Sequence, residues 1–152
     1  MIHIKPAIQT DWPQIISIAE AAKTTLEYPA AFNWSAETLA EELNHVFTIL
    51  AEQSEEVRGF VCYRELSEAF EISVLATHPS FQRTGIQTEL VLYLQKLAAT
   101  HNKNVWLEVH QKNTAALGFY QKLGFQTLRI RSHYYSDGGG AVVMGWKASE
   151  NR

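Results

Sequence analysis

The residues best suited to chemistry lie in two stretches of the chain. The first runs Val74-Leu75-Ala76-Thr77-His78-Pro79-Ser80-Phe81-Gln82-Arg83-Thr84-Gly85-Ile86-Gln87, an apolar run that passes through a polar turn into a helical pattern. A helix beginning at Thr84 leaves its first backbone N–H groups without intrahelical partners, and its macrodipole adds roughly half a positive charge at that end. Such a turn either cradles an anion such as phosphate or is a plain strand-to-helix connection. The second stretch, Leu107 to Phe125, puts Glu108 on a strand with Leu107 and Val109 facing the other way. Asn113 follows at the start of a helix, where capping alone is reason enough for an Asn. Glu108 is either a solvated carboxylate with an ion-pair partner or a base that projects into a cleft. Tyr120, taken alone, reads as a core aromatic with a satisfied hydroxyl.

The elements that must position these residues are legible as periodic patterns. Ile2 to Lys5 is a short strand. Thr10 or Asp11 can cap a first helix that has Pro13 in its first turn and Ile15, Ile16, Ile18, Ala19 and Ala22 on its apolar face. A loop rich in bulk follows, with Tyr28, Pro29, Phe32 and Trp34, and Ser35 caps a second helix through Leu39 and Leu43. Val46 to Ala51 and Val57 to Tyr63 read as a hairpin turning at Gln53-Ser54-Glu55-Glu56, and Phe70 to Thr77 as a further strand. Thr84 to Thr100 is the longest helix, with Leu90, Val91, Leu94, Leu97 and Ala98 at spacings of three and four. Val105 to Val109 is a strand ending at His110, and the helix capped by Asn113 runs to Leu123 and is closed by Gly124. Phe125 to Arg131 and Ala141 to Lys147 are the last strands, joined by a loop with Tyr134, Tyr135 and Asp137-Gly138-Gly139-Gly140. This order predicts an α/β chain with a central sheet and helices on both of its faces.

Composition narrows the function. The 152 residues suit one domain, taken as residues 1 to 152, and 46% hydrophobic with 19% charged residues predicts a folded chain. A net charge of -3 without clustered Lys and Arg argues against nucleic acid as a partner. No apolar stretch approaches the roughly 20 residues that span a bilayer, so no membrane partner is expected, and the first residues lack a signal-peptide pattern; a cytoplasmic location is the expectation. The single cysteine, Cys62, excludes an internal disulfide and, within Phe60-Val61-Cys62-Tyr63, reads as a small buried hydrophobe. The six histidines show no metal-ligand spacing, and neither the P-loop nor the dinucleotide fingerprint occurs.

Taken together, Gln82-Arg83-Thr84-Gly85-Ile86, the strand Glu108, Asn113 opening a helix, Phe119-Tyr120 within it and Leu123-Gly124-Phe125 leaving it resemble the GNAT superfamily of acetyl-CoA-dependent N-acetyltransferases. The chain is most similar to the bacterial ribosomal-protein-alanine N-acetyltransferases. Trp34-Ser35, Leu107-Glu108-Val109, and Arg131 followed by Tyr134-Tyr135 and a Gly-rich turn before Ala141-Val142-Val143-Met144 carry that likeness. It implies a mostly antiparallel seven-stranded sheet, splayed between strands 4 and 5, with four helices on both faces.

The likeness also implies roles. Acetylating an amine needs its neutral form, yet a peptide N-terminus has a pKa near 7.7 to 8.0 and a lysine near 10.4. Glu108 would take that proton, directly or through a water. A backbone N–H near Leu75, Ala76 and Thr77 would face the oxyanion of the tetrahedral intermediate, and the pantetheine arm of acetyl-CoA would pair with that strand. Tyr120 would protonate the departing thiolate. Gln82, Arg83, Thr84, Gly85, Ile86 and Gln87 would meet the pyrophosphate, and Asn113 would contact the cofactor. Gln87 departs from the family pattern, which has a small residue there so that backbone can approach phosphate; it would obstruct the approach or swing outward and donate its amide. Tyr28, Phe32, Trp34, Tyr134 and Tyr135 are candidate walls of the acceptor groove. The expected acceptor is a protein N-terminus, with a small-molecule amine as the alternative and a catalytically impaired binding protein as a third reading.

Overall fold

Alternation of apolar and polar residues along the strands, and a three-to-four spacing along the helices, sort the side chains onto two cores. The computed structural model describes residues 1–25 and 34–148. Its strands are β1 (His3–Pro6), β2 (Phe47–Gln53), β3 (Glu56–Glu65), β4 (Ala69–Thr77), β5 (Asn104–His110), β6 (Gln126–Arg131) and β7 (Ala141–Trp146). The helices are α1 (Trp12–Lys23), α2 (Ala36–Leu43), α3 (Ile86–Thr100) and α4 (Thr114–Lys122), with short 3-10 turns at Gln9–Asp11 and Pro79–Phe81. One sheet runs in the order β1-β2-β3-β4-β5-β7-β6. Every neighbouring pair is antiparallel except β4 and β5, which are parallel. The seven-stranded sheet with four helices expected from the resemblance is therefore present.

Each face of the sheet carries its own core. Leu90, Val91 and Leu94 of α3 are fully buried with Val61, Val105, Leu107 and Met144 on one face. On the other, Ile15 and Ile18 of α1 and Leu39 and Leu43 of α2 pack on Leu50, Phe60, Cys62 and Val74. The hairpin turn falls where its polar residues place it, with Ser54 and Glu55 both at positive φ. Ser35 caps α2 as its residue type requires, its hydroxyl accepting from the Thr38 N–H at 3.1 Å. Asp11 departs from expectation: it stands at the start of α1, but its carboxylate accepts from the Ile8 N–H at 2.9 Å, so it closes the preceding 3-10 turn instead of capping α1.

Two details of packing bear on the site. Gly59 on β3 lies under the start of α3; a Cβ there would stand 2.7 Å from Ile86 Cγ2 and 3.0 Å from the Ala76 carbonyl oxygen. Gln95 on α3 is buried and donates to the Leu123 carbonyl at 2.9 Å, tying the end of α4 to α3. Replacing Gly59 with Ala is expected to cost about 1–3 kcal/mol through overpacking, read as a lower denaturation midpoint with an unchanged slope. Cys62 is fully buried, and burial pushes its thiol from the ordinary 9.0 up to about 12. The folded state thus keeps Cys62 protonated above the pH where the unfolded chain ionises. Its stabilising contribution is complete below pH 9 and declines toward pH 12, by about 1.4 kcal/mol per pH unit in that window. Thiol-reagent titration at pH 8 should label Cys62 only after unfolding, and Cys62→Ala should flatten the loss of stability above pH 9.

Candidate active site

Parallel pairing between β4 and β5 is confined to Ala69↔Asn104, Phe70↔Val105 and Glu71↔Trp106. From Ile72 to Thr77 the edge of β4 that faces β5 has no strand partner among the described residues, and the two strands diverge into a wedge. The register of β3 against β4 also shifts here: Cys62 pairs with Val74 and Tyr63 with Ile72, so Ser73 is left as a bulge. A cavity of about 250 Å³ fills the wedge, bounded by Leu75, Ala76 and Thr77 on β4 and by Glu108 on β5. Asn113 and Tyr120 of α4 and Gln82 and Gln87 at the start of α3 complete it. A second cavity of about 370 Å³ lies next to it, lined by Arg64, Glu71, Arg129, Arg131, Tyr134 and Tyr135 among others. Ile72, Ser73, Leu107 and Glu108 line both. Glu108 therefore stands on the wall where the two spaces meet.

The sequence-predicted residues divide by place. Leu75, Ala76, Thr77, Gln82, Gln87 and Asn113 reach the wedge cavity, whereas Arg83 and Thr84 are exposed beside it. Ile86 is 1% exposed, its side chain in the α3 core, so only its backbone can serve an anion. Tyr134 and Tyr135 line the second cavity, and Trp34 lines the first. Tyr28 and Phe32 lie outside the described residues.

Local geometry shows what these groups can do. Gly85 takes a left-handed conformation at φ 91° and opens α3, with nothing within 4 Å of the position a Cβ would occupy. Whereas Ser35 and Asn113 cap α2 and α4 with their side chains, α3 has no side-chain cap. Its first N–H groups are available to an anion over that open space. Asn113 accepts from the Ala116 N–H at 3.1 Å, so its capping reason is met while the residue also borders the cavity. Thr77 is 4% exposed, and its hydroxyl oxygen has no partner among the described residues. A buried hydroxyl left unpaired costs about 1–3 kcal/mol, a penalty that a ligand in the wedge would remove. Gln87 lines the wedge together with Tyr120.

Glu108 and Tyr120 sit in opposite surroundings. The Glu108 carboxylate is partly exposed and accepts from Arg131 Nη1 at 3.0 Å, the ion-pair partner that a strand carboxylate calls for. The Arg131 guanidinium also lies over the Tyr134 ring, 4.4 Å from its centroid. Tyr120 is packed edge-on against Phe119 and Phe125, at 5.0 and 5.4 Å between ring centroids. Burial pushes its phenol well above the ordinary 10.0, against a smaller opposing effect of Gln87. The hydroxyl is thus protonated at neutral pH and able to donate a hydrogen bond. Tyr135 is likewise raised, to about 12, by burial and by the negative charge of Glu108.

Sequence reasoning assigned no role to three residues at this site. Ser73 lines both cavities from the β4 bulge, a position no local pattern announces. His110 ends β5, is 2% exposed, and hydrogen-bonds through Nε2 to Asp137 at 2.8 Å. Asp137 is held below the usual carboxylate range by the Gly139 N–H and then by His110, against a partial opposing effect of burial. The run of glycines after Asp137 was the available signal, because tight approach of backbone to a side chain requires them.

An unpaired strand edge, an uncapped helix start and an orphaned buried hydroxyl suit a ligand with an amide-bearing arm and a pyrophosphate. Coenzyme A has both, and Leu75 to Thr77, Gln82, the Gly85–Gln87 backbone and Asn113 could hold it. Comparison with known proteins agrees. Residues 9–125 match the family model described as Acetyltransferase (GNAT) family. The chain is 32% identical over 151 residues to a [ribosomal protein bS18]-alanine N-acetyltransferase of Haemophilus ducreyi, covering 93% of this chain and 97% of that protein. The crystal structure of the ribosomal-protein-S18-alanine N-acetyltransferase from Escherichia coli superposes with a TM-score of 0.84 at 26% identity, over 97% of this chain and 94% of that one. An N-acetyltransferase from Thermoplasma acidophilum, solved in complex with coenzyme A, shares the fold with a TM-score of 0.77 at 21% identity over 97% of this chain and 99% of that one. The chain belongs to the GNAT acetyltransferase family, enzymes that transfer an acetyl group from acetyl-CoA to an amine.

Proposed function

We propose that this enzyme acetylates the N-terminal α-amine of a protein, with alanine as the first residue. The observation that carries this reading is the position of Glu108 on the wall shared by the wedge and the second cavity. Acetyl-CoA supplies an activated acyl group from the wedge side, and the amine reaches it from the other. The second cavity is open and lined by charges of both signs, Arg64, Glu71, Arg129 and Arg131, with the Tyr134 and Tyr135 rings beside them. Such a surface suits an extended chain end better than an enclosed small molecule. The similar H. ducreyi protein, named for acetylating an alanine of a ribosomal protein, supports the same acceptor.

The chemistry also favours an α-amine. Deprotonating a terminal amine near pKa 7.8 in place of an aliphatic amine near 10.4 spares the base about 3.5 kcal/mol. Glu108, a partly exposed carboxylate already paired with Arg131, is suited to the smaller task. Its oxygen takes the proton from the amine, directly or through one water, while Arg131 fixes the direction of the carboxylate. N–H groups on the open edge of β4 can donate to the thioester oxygen as charge develops there. Tyr120 donates its hydroxyl hydrogen to the leaving sulfur. Since burial raises the phenol while a free thiol sits near 8.5, the hydroxyl stabilises the developing thiolate as a hydrogen-bond donor, and a proton that passes to sulfur as the C–S bond breaks is replaced on the phenolate from solvent when coenzyme A leaves. Gln87, in the first turn of α3, borders the same cavity as that hydroxyl.

Two outcomes are expected. In a thiol-release assay, Glu108→Gln and Tyr120→Phe should each lower kcat by about 10²-fold or more, with the acetyl-CoA dissociation constant within about threefold of wild type by calorimetry. Wild-type turnover in both variants would remove those roles. In an acceptor screen read by mass spectrometry, peptides that begin with alanine should be acetylated at the α-amine in preference to polyamines. The reverse preference would replace this acceptor with a small amine.

A further inference from the structure

The β6–β7 loop, residues 132–140, carries Tyr134 and Tyr135 into the second cavity, yet few of its own side chains are buried. What holds it is the end of β5. The Lys112 N–H donates to His110 Nδ1 at 3.2 Å, so the ring proton is on Nε2 and is donated to Asp137 Oδ2 at 2.8 Å. The other carboxylate oxygen, Asp137 Oδ1, accepts from the Gly139 N–H at 2.8 Å. The Tyr135 ring lies flat on the imidazole, with centroids 5.1 Å apart and planes 12° from parallel. Gln111 seals the far end of the loop: its N–H donates to the Gly140 carbonyl, and its side-chain oxygen accepts from the Gly140 N–H, both at 2.8 Å. Gly139 has no room for a side chain, since a Cβ would stand 2.3 Å from His110 Nε2.

His110 is two residues after Glu108 and points to the same face of β5. The strand that offers the carboxylate therefore also offers the anchor for the loop opposite it. We propose that His110 and Asp137 are a positioning pair that holds the 132–140 loop on β5 and so fixes Tyr134 and Tyr135 as a wall of the acceptor site. This rests on the reading of the second cavity as the acceptor side. His110 also lines the wedge cavity, whereas Asp137 borders neither cavity and meets the strand only through His110, so a change at Asp137 loosens the loop without altering the wall of the wedge.

The test separates hydrogen bond from stacking and latch from general loosening. His110→Phe keeps a ring against Tyr135 and removes the donor, and Asp137→Ala removes the acceptor. Each should raise the acceptor KM about tenfold, and in Asp137→Ala, which leaves the wedge lining intact, kcat and the acetyl-CoA dissociation constant should stay within about twofold of wild type. The double variant should be no worse than either single one, and Asp137→Asn, which keeps an acceptor oxygen, should stay within about threefold of wild type. In parallel, hydrogen exchange should speed up at residues 132–140 in Asp137→Ala and not at residues 72–77. Unchanged acceptor KM in both single variants overturns the proposal, as does a loss of acetyl-CoA affinity in Asp137→Ala in step with the rise in KM. If wild type acetylates no peptide, the acceptor reading fails by itself; unchanged loop exchange in Asp137→Ala then overturns the latch, and faster exchange sustains it.

Discussion

Every feature of the site depends on the parting of β4 from β5 after the Glu71↔Trp106 pair. Beyond it, β4 stays paired to β3 as far as Thr77, and β5 stays paired to β7 through His110. The sheet thus behaves as two well-bonded halves hinged along a short parallel seam. A buried strand edge without partners is costly, because each backbone group taken from water needs a replacement hydrogen bond. The wedge must therefore hold water or a ligand with polar groups spaced along an arm. The same parting brings α3 and α4 to its two sides, one offering uncapped N–H groups and the other the Tyr120 hydroxyl.

Within that frame the two side chains proposed to carry the chemistry sit in opposite surroundings. Glu108 keeps access to solvent and an ion pair with Arg131. Tyr120 is enclosed by Phe119 and Phe125, which keeps its phenol protonated and able to donate a hydrogen bond. In the proposed mechanism the exposed carboxylate takes a proton from the amine and the buried phenol offers a hydrogen bond to the departing sulfur.

Much of this was legible in the chain because it is local. The spacing of Leu90, Val91 and Leu94 and the capping types Ser35 and Asn113 specify elements through periodicity and hydrogen bonds a few residues apart. The splay of the sheet was not readable from any such pattern; it came only through resemblance, since strand order is decided by contacts distant in sequence. The same holds for side-chain partners. Arg131 meets Glu108 across 23 positions and Asp137 meets His110 across 27, distances over which composition and spacing say nothing. Gln87 reads as an obstacle or an outward donor, and the structure places it in the lining of the wedge beside Tyr120, a neighbour 33 positions away that no local pattern could supply. Asp11 shows the local limit, where two competing N–H groups lay within reach and the nearer turn took the carboxylate.

Amide-resolved hydrogen exchange with and without acetyl-CoA tests the central claim, that the open edge of β4 is where the cofactor lies. Protection is expected to rise from Ile72 to Thr77 and at the first turn of α3, with β2 unchanged. Protection confined elsewhere, or none at Ile72 to Thr77 under saturating acetyl-CoA, would contradict it.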